Sequence, residues 1–218
     1  MPNPTPMSAN YGTKLPLSAD HTKAIQEHLT RHQQWRDLTL LMLGVDSLLR
    51  SCDLLKLTYD DVIDINGNIR TYLVRRQKKT RRTVECYLTS PTRRAVELWI
   101  TQSGKTNGDY LFTRLKLRSD KVANTPISRN AYALRVKSWV SAIGLDPSRY
   151  STKTLRKSRI RPILEKAGFD YQVPQLLLGH SDIRSTVHYC GIAHETALQI
   201  AAEVQFFDPL NLTPFEQE

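Results

Sequence analysis

His180, at a Gly-His turn, and Tyr189, nine residues further on, are where this 218-residue chain first suggests chemistry. Ile183 and Val187 stand between them among small polar residues, a pattern that suits a short helix. Such a helix brings a phenol hydroxyl beside an imidazole, close to a bound phosphate. A tyrosine near a helix end is more often core or surface than nucleophile, so the reading depends on partners. A tyrosine that attacks phosphorus needs cations for the phosphate oxygens and a proton donor for the leaving group.

Candidate cations occur in three places. Arg50 lies between two apolar runs in Asp46–Leu57, where a cation costs energy unless it has an anion. It can pair with Asp53, three residues on, or present its planar fork to a phosphate. The turn Arg76-Gln77-Lys78-Lys79-Thr80-Arg81-Arg82 carries five cations, either a solvated tip or a finger on a nucleic-acid backbone. Tyr150–Arg159 opens a basic helix with Lys153 and Arg156 on one face of its first turn, a natural phosphate site. A solvated face accounts adequately for Lys157 and Arg159. It accounts less well for Arg156, which follows Leu155 and precedes the apolar Ile160–Leu164 segment.

The elements that must position these residues read mostly as helices. Residues 1 to about 14 are rich in Pro, Asn, Ser and Thr and read as extended or disordered. Ser18 caps a helix ending near His32, and a strongly apolar helix runs from about Trp35 through Val45. Asn66-Gly67 is a hairpin signal. With the alternating runs Ile69–Arg75 and Thr83–Leu88 it predicts a three-stranded antiparallel meander. Ser90-Pro91 starts a helix, and Ser128 caps another, closed by Gly144. The basic helix runs to Gly168, a short one covers about Val173–Leu178, and a last one covers His194 to about Val204. Phe206 and Phe207 in the tail suggest docking on another surface.

Composition narrows the partner. The length suits one domain, and 40% hydrophobic residues allow a sizeable core. A formal net charge of +10 points to a polyanion, most often nucleic acid. Cys52, Cys86 and Cys190 are too far apart for a disulfide framework or zinc site. His28 and His32 have helical spacing but no third ligand, so no metal site is indicated. The first residues have no signal-peptide pattern, no apolar run spans a membrane, and a reducing cytoplasm is the expected setting.

Taken together, these motifs resemble the tyrosine recombinase (phage integrase) family, over about Leu15 to Val204. Leu48–Leu57 is similar to the family's first-arginine motif, with Asp53 where an acidic residue is usual. Gln77-Lys78-Lys79-Thr80 is similar to the hairpin-lysine motif, and Lys153-Thr154-Leu155-Arg156 falls on His-x-x-Arg, with lysine as a known alternative to histidine. Leu178-Gly179-His180 and Tyr189 complete the order. The resemblance implies an α+β fold, mainly helical with a small antiparallel sheet, of the DNA breaking-rejoining kind. It implies a catalytic set of Arg50, Lys79, Lys153, Arg156, His180 and Tyr189. DNA contacts are expected from Arg76, Lys78, Arg81, Arg82, Lys157 and Arg159.

The implied chemistry is metal-free and cofactor-free strand exchange through a 3′-phosphotyrosine, as in type IB enzymes. The implied partners are double-stranded DNA and either copies of the same chain, in a tetramer that exchanges C-terminal helices, or other tyrosine recombinases. The domain reading is a leading segment 1–14, a catalytic domain 15–205 and a tail 206–218. The family's N-terminal helical clamp does not fit into 14 residues, so the chain reads as a stand-alone catalytic domain. Two other readings share these features. One is an accessory DNA-binding protein that activates other recombinases, and the other is a type IB topoisomerase.

Overall fold

Ser18 starts the first helix, α1 (Ala19–Arg31), and the cap is reciprocal. Its hydroxyl accepts from the His21 amide at 3.1 Å, and its own amide donates to His21 Nδ1 at 3.4 Å. The computed structural model describes residues 14–114 and 124–190. After α1 come α2 (Trp35–Asp46), α3 (Ser51–Leu54), α4 (Tyr59–Val62), β1 (Tyr72–Arg76), β2 (Thr83–Tyr87) and α5 (Ser90–Ser103). They are followed by α6 (Arg129–Ala142), α7 (Thr152–Lys166), α8 (Gln172–Leu178) and α9 (Ile183–Cys190). No helix among the described residues is long and apolar enough to cross a membrane.

The second helix is the centre of the packing. Leu38, Leu40, Leu41 and Leu43 are all buried, as expected of a helix that is apolar all round. It packs against α1, α5 and α7. Truncating one of these leucines to alanine should cost about 2–5 kcal/mol. Gly44 permits the closest approach. A Cβ there would stand 2.9 Å from Leu155 Cδ1 and 3.0 Å from Tyr132 Oη. Asp46, at the end of α2, accepts from the amide and hydroxyl of Thr89 at 2.9 and 2.6 Å. Thr89, rather than Ser90, is therefore the residue that precedes α5, with Pro91 in its first turn.

The sheet has two strands, not the three the sequence pattern predicts. β1 and β2 pair antiparallel in the register Leu73↔Cys86 and Arg75↔Val84. Leu73, Val84 and Cys86 point inward, while Tyr72, Val74 and Tyr87 are exposed. The Asn66-Gly67 turn is present, but its pairing is a single bridge, Ile63↔Ile69. The residues before Ile63 are helical, because a capping box between Thr58 and Asp61 starts α4. That leaves only Ile63 and Asp64 between α4 and the turn, too few for a strand. The expected helix at 194–204 and the Phe206-Phe207 tail lie outside the described residues.

Candidate active site

The site forms where three chain turns meet. After α2 the chain turns through Leu48, buried and at φ +52, a left-handed conformation rare for a branched side chain. This turn offers the Leu48 carbonyl to Arg156 Nε at 2.5 Å and delivers Arg50 to the start of α3. Ser151 caps α7, accepting from the Lys153 amide at 3.3 Å, while its own amide donates to Thr154 Oγ1 at 2.9 Å. With the first turn fixed, Thr154, Leu155 and Arg156 are buried and Lys153 is exposed. The third turn follows α8. Gly179 sits at φ +63, and a Cβ on it would lie 2.7 Å from Val84 Cγ1 and 3.1 Å from Gln77 Nε2. Only glycine lets α8 end against the hairpin this way.

These turns bring four of the six candidate catalytic residues together. Arg156 is 7% exposed and donates through Nη2 to the Leu178 carbonyl at 2.7 Å. Its Cζ lies 5.4 Å from the centre of the Tyr189 ring, a cation–π distance. His180 stands edge-on to that ring, with centroids 5.7 Å apart. Arg50 is half-buried and donates to Gln77 Oε1, while Gln77 Nε2 donates to the Leu178 carbonyl at 3.1 Å. One carbonyl thus serves both the Arg156 guanidinium and the amide that holds Arg50. Lys79 is exposed on the hairpin, where its charge is felt at His180. It also borders a cavity of about 460 Å³ lined by Lys56, Lys78, Ile127 and Arg129. Lys153 faces solvent, and among the described residues no hydrogen bond joins its side chain to the cluster.

Burial and mutual repulsion set the protonation states. Burial, opposed by Tyr189 and aided by Arg50, lowers the Arg156 guanidinium to about 10. His180, 8% exposed, is lowered to about 4 by burial and by the charges of Arg156, Arg50 and Lys79. It is therefore a neutral imidazole at pH 7. Its Nδ1 lies 3.0 Å from the fully buried Thr186 hydroxyl, and when that hydroxyl donates, the ring proton resides on Nε2. Burial pushes the Tyr189 phenol up to about 12, against the pull of Arg156. Its hydroxyl is buried without a hydrogen-bond partner among the described residues. Among the described residues, that leaves a buried hydroxyl beside two cations with its hydrogen-bonding capacity unused.

The candidate DNA contacts divide. Arg76, Lys78, Arg81 and Arg82 are exposed around the hairpin, as a backbone-contacting finger requires. Arg82 also donates to the His180 carbonyl at 3.3 Å. Arg159 departs from the sequence reading. Its guanidinium pairs with the Asp46 carboxylate at 3.2 Å and donates to the Asp46 carbonyl at 2.6 Å, so it ties α7 to α2. Lys157 departs as well, since its Nζ sits 5.5 Å from the Tyr189 ring centre, inside the cluster rather than on a solvated face. Arg50 does not pair with Asp53, whose Oδ1 accepts from the Lys78 amide at 3.0 Å instead.

Sequence reasoning missed Gln77 and Thr186 as members of the site. A signal exists for each. Gln77 continues the inward parity of Leu73, so a polar residue there falls on the buried side of the hairpin. Thr186 is three residues before Tyr189, hence on the same helix face.

The comparison with known proteins decides the family. The model of the phage integrase family matches residues 16–196. The chain belongs to the phage integrase family. Tyrosine recombinase XerD of Vibrio vulnificus (strain YJ016) is 30% identical over 100 residues, 46% of this chain and 30% of that protein. The match thus spans less than a third of that relative. Among solved structures, XerA recombinase superposes with a TM-score of 0.68 at 16% identity, covering 91% of this chain and 66% of the other. XerH recombinase bound to palindromic difH substrate, in a post-cleavage complex, gives 0.69 at 18% identity over 89% and 55%. At these identities the structures establish the shared fold: a mainly helical recombinase catalytic domain with a small antiparallel sheet.

Proposed function

We propose that this domain cleaves and rejoins DNA strands as a site-specific tyrosine recombinase. One observation carries the reading: two arginines held by neutral oxygens lie beside a buried tyrosine hydroxyl that has no hydrogen-bond partner among the described residues. A phosphodiester docked there supplies what the cluster lacks. Arg50 and Arg156 bind its non-bridging oxygens, and His180 Nε2–H donates a third hydrogen bond. Lys153, at the start of α7, adds positive charge at the rim. Tyr189 Oη gives up its proton to water as it attacks phosphorus, and the 3′-phosphotyrosyl bond forms as the bond to the 5′ oxygen breaks. Lys79 on the hairpin delivers a proton to that oxygen. A 5′ hydroxyl from a partner strand reverses the step, so the number of phosphodiester bonds is conserved.

Double-stranded DNA is the partner this geometry fits, with its backbone along the exposed Arg76, Lys78 and Arg81. The XerH neighbour was captured with its difH substrate after cleavage, which supports the same substrate class here. We read the assembly as a ring of copies on DNA.

The test is a nicked suicide duplex carrying candidate sites. A covalent protein–DNA adduct on a denaturing gel is expected from the native chain. Tyr189→Phe should give none while melting at the same or a slightly higher temperature, because an unsatisfied buried hydroxyl is removed. No adduct on any site, alone or with another recombinase present, overturns the proposal. Relaxation of plasmid without site preference would favour a topoisomerase.

A further inference from the structure

Gln77 is fully buried on a hairpin whose neighbouring residues are mostly exposed. Every polar group it owns is engaged. Its amide N–H donates to the Arg82 carbonyl at 2.8 Å, and its carbonyl accepts from the Arg81 amide at 3.0 Å. Side-chain Oε1 accepts from Arg50 and from the Thr80 hydroxyl, the latter at 2.9 Å, while Nε2 donates to the Leu178 carbonyl at 3.1 Å. An arginine can only donate and a carbonyl can only accept, so these partners admit one orientation of the amide.

We propose that Gln77 is the positioning residue that sets Arg50 for the phosphate, by a chain running Arg50–Gln77–Leu178 carbonyl–Arg156. The inference rests on reading the site as a strand-cleaving centre. Its physical content is the neutrality of the amide. A carboxylate at position 77 would hold Arg50 more tightly but cancel the charge that must bind a phosphate oxygen. The amide fixes the direction of the guanidinium and leaves its charge free. The shared Leu178 carbonyl then keeps Arg50 in register with Arg156, so both are in place before the phosphate arrives. Gly179 makes this possible, because a side chain there would push into Gln77. Gln77 itself touches no reacting atom.

Three variants test this. Gln77→Met keeps the volume and removes all three side-chain hydrogen bonds. Single-turnover cleavage should fall about tenfold or more, the rate equivalent of one modest hydrogen bond, with DNA affinity and melting temperature near native. In an Arg50→Lys background the same change should cost little further, since coupled residues are not additive. Gln77→Glu should acquire a pH step that the native chain lacks. Its cleavage relative to native is highest in acid, where the protonated carboxyl mimics the amide, and drops as the carboxyl ionises. A ratio independent of pH, or full additivity with Arg50→Lys, overturns the proposal. An independent readout covers the case in which the native chain forms no adduct and the strand-cleaving reading fails. Nitrogen-15 NMR of the Arg50 guanidinium, assigned with Arg50→Lys, should show restrained Nη signals that Gln77→Met releases. Unchanged Arg50 signals overturn the positioning role whatever the activity.

Discussion

Two pairs of arginines are held in this domain, and they are held differently. Arg36 and Arg135 converge on one carboxylate, Asp37. Arg36 reaches Oδ1 at 3.2 Å and Arg135 reaches Oδ2 at 2.7 Å, with Trp139 Nε1 also on Oδ2 at 3.2 Å. That cluster ties α2 to α6, and the carboxylate balances one of its two positive charges. Arg50 and Arg156 have no carboxylate in hydrogen-bond contact among the described residues. They are oriented by an amide oxygen and two backbone carbonyls. Burial lowers the pKa of both Arg36 and Arg156, but at Arg36 a bonded carboxylate opposes the shift. The residue type and the burial are alike, and the partner's charge separates a structural arginine from one left ready for an anion. Arg159, paired with Asp46, belongs with the structural group.

The widest gap between the two pairs should appear when each is broken. Arg156→Lys removes the planar fork that spans the Leu48 and Leu178 carbonyls. Adduct formation should fall by about two to three orders of magnitude, the usual effect of losing one anion-stabilising donor, with a small change in melting temperature. Asp37→Asn should do the reverse. It leaves Arg36 and Arg135 without their counter-charge and should cost roughly 2–3 kcal/mol of stability, discounted from the fully buried case because Arg135 is partly solvated. The protein that remains folded should cleave at the native rate. Denaturant titration beside single-turnover cleavage measures both. If Asp37→Asn impairs cleavage as much as Arg156→Lys does, the two clusters are not distinct.

Much of this division was legible in the sequence, and the part that was not has a common cause. Periodicity and caps located α1, α2 and α6 because apolar spacing and Ser18 and Ser128 are local signals. Arg50, Arg156, His180 and Tyr189 were singled out as candidates because their order is a pattern along the chain. The third strand was over-read because the turn at Asn66-Gly67 is local, while strand length depends on the helix α4, which the Thr58–Asp61 capping box starts and which runs to Val62. Arg159 looked the same as Arg156 in composition. What separates them is Asp46, 113 residues away in the chain, and no spacing rule reaches that far. Gln77 escaped for the same reason, since the Leu178 carbonyl that fixes it lies 101 residues on.

The repulsion inside the ready pair has a pH signature of moderate size. His180 is held at about 4, below the ordinary histidine value near 6.5. The fold therefore favours the neutral ring. The contribution is fully present above pH 6.5 and is lost as pH falls through 4, because protonation must then bury a cation and place it beside Arg156 and Arg50. Melting temperature followed from pH 7 to pH 4 should drop more steeply for the native chain than for His180→Asn. Equal slopes would mean that the two arginines do not act on His180 as a buried cation pair would.

The smallest effect separates exposed cations from paired ones. Each phosphate neutralised by a lysine or arginine contributes about 0.9 to the slope of log affinity against log salt. Arg81 is exposed at the hairpin tip, so Arg81→Gln should lower that slope by about one without changing stability. Arg159→Gln should leave the slope unchanged and lower the melting temperature, because its charge is already matched by Asp46 in the free protein. A slope reduced by Arg159→Gln would show that the ion pair opens on DNA. Arg159 would then move from the structural group to the one that waits for phosphate, and partner charge in the free domain would no longer be sufficient to sort its arginines.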